Sequence, residues 1–280
     1  MTADEMPTAP EPAFDGPLPG YESHSSLSTY DSCPLRYAYR YVERRPGEIR
    51  PGQFAFANAI HRAFERFVRE RIRARAGGCG PPGIDVLWTG FDEAMEGSGL
   101  AAEEVERARQ RAVPILARFV ERESASEAQP VGAEIGFGVP VEVPGETAGI
   151  RFVGYVDRVD RRPDGSTEVI DYKTGRVASQ ADVDADRQLT AYAFACARGG
   201  LRDPASGETM GPASRLGLYF TDRGTLLWTT RNPDQLDAFE GHVVDVVQRV
   251  RRREFASRPD PGRCGWCEYR TVCSDGVTGS

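Results

Sequence analysis

The apolar positions of this 280-residue chain change period several times, and those changes mark out its elements. From about Gln53 to Ala76, Phe54, Ala57, Ile60, Phe64, Phe67 and Val68 recur three and four residues apart, the spacing of a long amphipathic helix. The run GGCGPPG at 77–83 ends it by glycine and proline chemistry. Residues 84–124 carry two more helical patterns, divided at Glu96-Gly97-Ser98-Gly99. The period then drops to two: Ile135, Phe137, Val139, Val141 and Val143 alternate with Glu134, Gly136, Gly138, Pro140 and Glu142, as in a half-buried strand. Glu134 falls on the polar side and is expected at the surface. Helices are also expected over Ser28–Val42, interrupted by Cys33-Pro34, over Asp182–Arg198, and after an Asn232-Pro233 cap, where Leu236, Phe239, Val243, Val247 and Val250 form the buried stripe. Residues 213–220 and 224–230 predict a hairpin about Thr221-Asp222-Arg223-Gly224.

A second predicted hairpin carries the chemistry. It spans Gly149 to Gly175, GIRFVGYVDRVDRRPDGSTEVIDYKTG, and turns at Pro163-Asp164-Gly165. Centred on Asp164, it sets Asp157 opposite Asp171 and Asp160 opposite Glu168. Like charges so placed are destabilising unless compensated, and a divalent cation would compensate them. Lys173 projects from the same face as Asp171 because strand side chains alternate. Magnesium suits such a group, since it takes oxygen ligands and keeps waters and room for a substrate phosphate. The alternative is a solvated hairpin, which is how Asp160 and Glu168 read so close to the turn. Lys173 is nevertheless the sole lysine among 35 basic residues, placed where a compact ammonium differs chemically from the planar guanidinium used everywhere else.

Other candidates are ambiguous by themselves. His61 lies on or beside the apolar stripe of its helix, where a lone histidine is more often a core residue than a ligand. Gln188 and Tyr192 are one helical turn apart and share a face, which equally describes an exposed polar pair. Cys264, Cys267 and Cys273 give C-x2-C-x5-C, three thiols where a tetrahedral centre needs four, and Cys33 is the best fourth. Zinc and an iron–sulfur cluster both fit that spacing. Such a centre would clamp the two ends of the domain together. Cys79 and Cys196 read as spare thiols.

Composition narrows the class. Hydrophobic residues at 40% and charged ones at 28% are ordinary for a globular protein. No apolar run approaches the ~18 residues of a membrane span. Residues 1–20, acidic and proline-rich without an apolar core, read as a disordered tail rather than a signal peptide, and the protein is expected to be cytoplasmic. A net charge of −7 argues against indiscriminate nucleic-acid binding, while arginines clustered at 36–45, 62–75 and 249–253 allow a local phosphate-tracking groove.

Taken in order, NAIHRAFE, AEIGF, GYVDRVD, VIDYKTG, QLTAY and the terminal cysteines resemble the RecB-type branch of the PD-(D/E)xK nuclease superfamily. That branch includes the nuclease domains of RecB and AddB and the CRISPR-associated spacer-acquisition exonucleases. The resemblance implies an α/β fold, a restriction-endonuclease-like mixed sheet with flanking helices. It implies a single nuclease domain over 21–275, with a helical insertion at 77–125 and a cysteine cluster at 261–275 closing onto Cys33. It implies Mg²⁺ or Mn²⁺ on His61, Asp157 and Asp171, with Glu134 as a further acidic member. Lys173 matches the catalytic lysine, and Gln188 and Tyr192 match a motif that lines the site and contacts DNA. Cys33, Cys264, Cys267 and Cys273 match the ligands of a [4Fe–4S] cluster, with zinc as the alternative. The expected activity is a DNA nuclease, an exonuclease preferring single strands, serving repair, recombination or defence beside a helicase or repair partner. The alternative is a non-catalytic iron–sulfur subunit that binds DNA or holds a repair complex together.

Overall fold

The computed structural model describes residues 14, 16–48, 52, 54–273 and 275. In chain order they form β1 (Tyr21–Glu22), α1 (His24–Ser32), α2 (Pro34–Tyr37), a π-helical turn (Ala38–Val42), α3 (Ala55–Ala76), α4 (Ile84–Glu96), α5 (Ala102–Ala125), β2 (Gln129–Val141), β3 (Ile150–Arg161) and β4 (Thr167–Lys173). Then follow α6 (Gln180–Asp184), α7 (Arg187–Ala197), β5 (Arg215–Phe220), β6 (Thr225–Thr229), α8 (Pro233–Arg251) and α9 (Pro261–Cys264). They divide into a larger unit, residues 49–141 and 151–242, and a smaller one built from residues 1–48, 142–150 and 243–280.

The larger unit is a mixed sheet with helices against it, as the α/β expectation requires. Strands β3 and β4 pair antiparallel, with Arg158 opposite Ile170 and Asp160 opposite Glu168, the register set by a turn centred on Asp164. Gly165 takes φ +83 there, a left-handed value that glycine adopts without steric cost. Strand β5 runs parallel to β4, so the chain must cross over between them, and α6 and α7 make that crossing. Strand β6 pairs antiparallel with β5, and β2 pairs with β3 on the other side.

Against this sheet the apolar stripe of α3 buries Ile60, Phe64, Phe67 and Val68 together with Leu87 and Phe91 of α4, Phe119 of α5, and Tyr172 and Tyr219 of the sheet. The rings of Phe64 and Phe119 stack 3.7 Å apart, and Phe64 meets Tyr172 edge-on at 4.9 Å. Such pairs contribute about 0.5–1.5 kcal/mol each beyond their buried area. Gly90 lets α4 approach closely: a β-carbon there would lie 3.0 Å from the backbone of Arg62 and Ala63. Helix α3 is thus held at the turn that carries His61.

In the smaller unit, Phe14 is buried edge-on against Tyr39 and Phe255, although it falls in the stretch expected to be a disordered tail. The rest of that stretch up to residue 13, and residue 15, lie outside the described residues. Tyr37 and Ser26 donate hydrogen bonds to the buried carboxylate of Glu22, whose pKa burial nevertheless raises. The segment after α9 is tied down by Glu268, which pairs with Arg36 at 2.8 Å, and by the Tyr269 hydroxyl, which donates to the Arg45 carbonyl.

Three expectations are corrected. The helical stretch expected over Ser28–Val42 begins earlier, at His24, and ends in a π turn, while the interruption expected at Cys33-Pro34 is present: the extended backbone of Cys33 (φ −160) ends α1 and starts α2 ahead of Pro34. The helix expected over Asp182–Arg198 is two, because Asp186 leaves helical geometry to cap α7, its side chain accepting from the Leu189 amide. Asp160 and Glu168 are buried rather than solvated: Arg158 donates to Asp160 at 2.6 Å and Arg215 to Glu168 at 2.7 Å.

Candidate metal and nuclease centre

All the acidic, imidazole and ammonium candidates lie in the larger unit and converge at the end of the β3–β4 hairpin remote from its turn. The β3–β4 ladder stops at Arg158 and Ile170, and beyond it Asp157 turns its carboxylate in, Oδ2 accepting the Tyr172 amide at 2.9 Å. His61 of α3 brings Nδ1 to 3.5 Å from the same oxygen. Glu134 completes the group: one ligand atom each from His61, Glu134 and Asp157 fall within 4.8 Å of one another. Asp171 stands beside them in a different role. Its Oδ2 meets the Lys173 ammonium at 2.7 Å, and its Oδ1 accepts from Gln188 Nε2 at 2.8 Å and from the Tyr192 hydroxyl at 3.1 Å.

Gln188 ties Lys173, Asp171 and Tyr192 together. Its Oε1 accepts from Lys173 Nζ at 2.6 Å, while Nε2 donates to Asp171 and to the Tyr192 oxygen. The Asp186 cap places it in the first turn of α7, so the side chain reaches the sheet with little freedom. Gln188 and Tyr192 are therefore not an exposed polar pair, and Tyr192 is buried.

Glu134 departs most from expectation. The strand alternation puts it at the surface, but its backbone has φ +52, left-handed within β2, which swings the carboxylate toward His61. A non-glycine residue held so costs of order 1–3 kcal/mol and persists where its surroundings over-determine it. Replacing Glu134 with glycine is expected to raise the melting temperature of the metal-free protein while weakening metal binding. Glu134→Ala weakens metal binding equally without that gain in stability. Thermal melts with and without Mn²⁺ separate the two effects.

The electrostatics call for a cation. Burial, then the nearby Asp171, pushes the Asp157 pKa well above the usual carboxylate range. Glu134 is also raised, by burial first and by Glu65 next. Burial lowers the His61 pKa, which favours the neutral imidazole a metal needs. Burial works against the Lys173 ammonium, but Asp171 outweighs it and the pKa rises. Asp157 and Asp171 both act on the Lys173 ammonium, while Glu134 lies near Glu65, Arg62 and Arg69. Asp171 Oδ2, although buried and close to Nζ, has no aligned hydrogen bond. Carboxylate oxygens with one imidazole form a hard donor set that fits Mg²⁺ or Mn²⁺.

In the smaller unit, Cys33, Cys264, Cys267 and Cys273 line one cavity together with Leu35, Tyr39 and Tyr269, and all four are unbridged. Burial raises the thiol pKa values of Cys267 and Cys273. Cys79 is exposed and Cys196 is buried on α7, and both belong to the larger unit.

A buried ion network beside the site left little signal in the sequence. Arg158, fully buried beside Asp157, donates to Glu123 of α5 and to Asp160, both at 2.6 Å, and Arg71 of α3 also pairs with Glu123. Glu123 falls in α5, one of the two helical patterns of residues 84–124. Only its place on the inner face of α5, four residues after Phe119, hinted at burial.

A mixed sheet presenting an aspartate on one strand and Asp-x-Lys on the next, covered by a helix bearing a histidine, defines a class of phosphodiesterase. The chain belongs to the PD-(D/E)XK nuclease superfamily, whose pattern it matches over residues 22–274. Nucleases of this superfamily use divalent metals. Among solved structures, the chain is similar to SSO0001, at 14% identity and a TM-score of 0.39 over 81% of this chain and 97% of that one. It is also similar to a protein called "Putative exonuclease" from Eubacterium rectale, at 13% identity and a TM-score of 0.46 over 93% and 91% of the two chains. No curated protein matches the chain. No described helix is long and apolar enough to cross a membrane.

Proposed function

We infer that this chain hydrolyses phosphodiester bonds in DNA as a RecB-type exonuclease acting on single strands. What carries the reading is the Lys173 ammonium 2.7 Å from Asp171, beside the group formed by His61, Glu134 and Asp157. His61, Glu134 and Asp157 would hold Mg²⁺ or Mn²⁺, with Asp171 adjoining. Such a cation supplies Lewis-acid polarisation of the phosphoryl oxygen and lowers the pKa of a bound water. Lys173 offsets charge that develops on the phosphate and orients the attacking water. Gln188 holds Lys173 and Asp171 in register, and Tyr192 fixes Asp171 from its other side. The direct test incubates anaerobically purified protein with end-labelled single- and double-stranded DNA in Mn²⁺, Mg²⁺ or EDTA. Mononucleotide release from single strands that EDTA stops supports the reading, and inert DNA in all three sinks it.

The four cysteines support a [4Fe–4S] cluster in a domain spanning 21–275, with zinc as the alternative occupant. Thiols from the start of α2 and from the C-terminal segment line one cavity and no disulfide joins them, which leaves all four available as ligands. Cys264→Ser is expected to bleach the visible absorbance of anaerobic protein and lower the melting temperature, whereas Cys79→Ser changes neither. A colourless preparation that contains zinc instead decides for that metal. A colourless, zinc-free protein of full stability removes the site. The reading as a non-catalytic DNA-binding or assembly subunit would keep this centre and lose the cleavage, and the same incubation decides it. A helicase or repair protein as partner and a cytoplasmic setting belong to this proposal.

A further inference from the structure

The strand that delivers Asp157 continues away from the site with two exposed side chains on the same face, Arg151 and Tyr155. Alternation along β3 puts Arg151, Val153, Tyr155 and Asp157 on one face. Tyr155, two residues and roughly 7 Å from Asp157, is 66% exposed, among the most exposed large hydrophobic side chains described. Arg151, at roughly 20 Å, is exposed as well.

Both groups lie flat, and glycine is the reason. The Tyr155 ring approaches to 3.4 Å from where a β-carbon at Gly136 would stand, and a β-carbon at Gly138 would collide with the Arg151 guanidinium. Gly136 and Gly138 follow Glu134 at intervals of two on β2, so the strand that supplies a site carboxylate also supplies bare backbone beneath the two planar groups. Among the described residues Arg151 makes no ion pair and the Tyr155 hydroxyl no hydrogen bond. An exposed aromatic face with an unpaired guanidinium beyond it, on the strand that carries Asp157, offers a stacking surface for a base and a partner for a phosphate.

We propose that Tyr155 and Arg151 form a track for one strand of DNA, in which the base next to the scissile phosphate stacks on Tyr155 and a phosphate further along pairs with Arg151. This rests on the nuclease reading and gives its single-strand preference a physical cause. A base in a duplex has both faces covered by its neighbours, so only an unpaired base can offer one to the ring. The guanidinium reads the phosphate alone and contributes affinity without sequence preference.

Binding is measured by fluorescence anisotropy in Ca²⁺ with a single-stranded oligonucleotide, a duplex, and single strands carrying one abasic position moved stepwise along them. Tyr155→Ala is expected to weaken single-strand binding about tenfold and leave duplex binding unchanged, while Tyr155→Trp binds as the parent does. One abasic position should weaken the parent by the same factor and Tyr155→Ala no further. Arg151→Met should reduce the slope of log affinity against log salt by about 0.7. The abasic scan on the unaltered protein needs no variant to fold. Equal binding of intact and abasic strands at every position overturns the proposal, as does a Tyr155→Ala loss shared equally by duplex. Cleavage by the parent in Mg²⁺ or Mn²⁺ is read in parallel. Stacking without cleavage removes the nuclease reading and keeps the track, whereas cleavage indifferent to Tyr155 does the reverse.

Discussion

Lys173→Ala is expected to lower metal-dependent DNA cleavage by a factor of about 10²–10³ or more while leaving single-strand affinity within about twofold, because removal of one preorganised charge donor costs that much. The side chain is held from two directions, by Asp171 Oδ2 at 2.7 Å and by Gln188 Oε1 at 2.6 Å, so its ammonium is placed before substrate arrives. Lys173→Arg is expected to be nearly as poor. A planar fork cannot occupy the point between a carboxylate and an amide oxygen that a compact ammonium fills. Gln188→Ala should be milder, since Asp171 still grips the lysine, and its loss should fall mainly on kcat. Single-turnover cleavage with preloaded Mn²⁺ checks the series. Lys173→Ala cutting within tenfold of the parent would remove the lysine from the mechanism.

The β3–β4 hairpin was legible because three independent signals agreed on it: apolar period, turn residues and opposed charges. Its observed register is the one those residues dictate. Positions that departed from the sequence pattern did so for identifiable reasons. Glu134 was misplaced because alternation assumes extended backbone, and a left-handed residue re-aims one side chain without disturbing those around it. Asp160 and Glu168 were misplaced because a charge near a turn is ordinarily solvated, whereas here Arg158 and Arg215 follow them inward. His61 could not be told from a core histidine by helical spacing, and the resemblance to a family decided it. Asp171 is expected among the metal ligands; it adjoins the close group of His61, Glu134 and Asp157, with Oδ1 accepting from Gln188 and Tyr192 and Oδ2 near the Lys173 ammonium but without an aligned hydrogen bond. Pair opposition across a hairpin shows which acids meet, but it is silent on which neighbour each oxygen faces.

Arg158→Met is expected to destabilise the larger unit by roughly 3–5 kcal/mol, the range found when one partner of a buried ion pair is removed. The guanidinium is fully buried and sits between Glu123 and Asp160, themselves nearly inaccessible. Methionine fills much of its volume but leaves two carboxylates facing each other without water. Arg71 still reaches Glu123, so Asp160 bears most of the cost. Adding Asp160→Leu to Arg158→Met should therefore recover more stability than adding Glu123→Leu, and urea titrations of the two double variants check this ordering. The pH dependence has a definite sign. Burial raises the Glu123 pKa, but Arg158 outweighs it and the net shift is downward from 4.5, so its contribution is present above that value and is lost as pH falls through the lowered one. Arg158→Met should flatten the acid limb of the stability curve accordingly. The variant also tests how the site is held. Arg158 adjoins Asp157 in the chain, and Arg71 joins the same network to α3, which carries His61. Loosening the network should weaken Mn²⁺ binding even though no ligand has changed. Unaltered Mn²⁺ affinity in a measurably destabilised Arg158→Met protein would show that the buried ion network supports the fold without positioning the metal group.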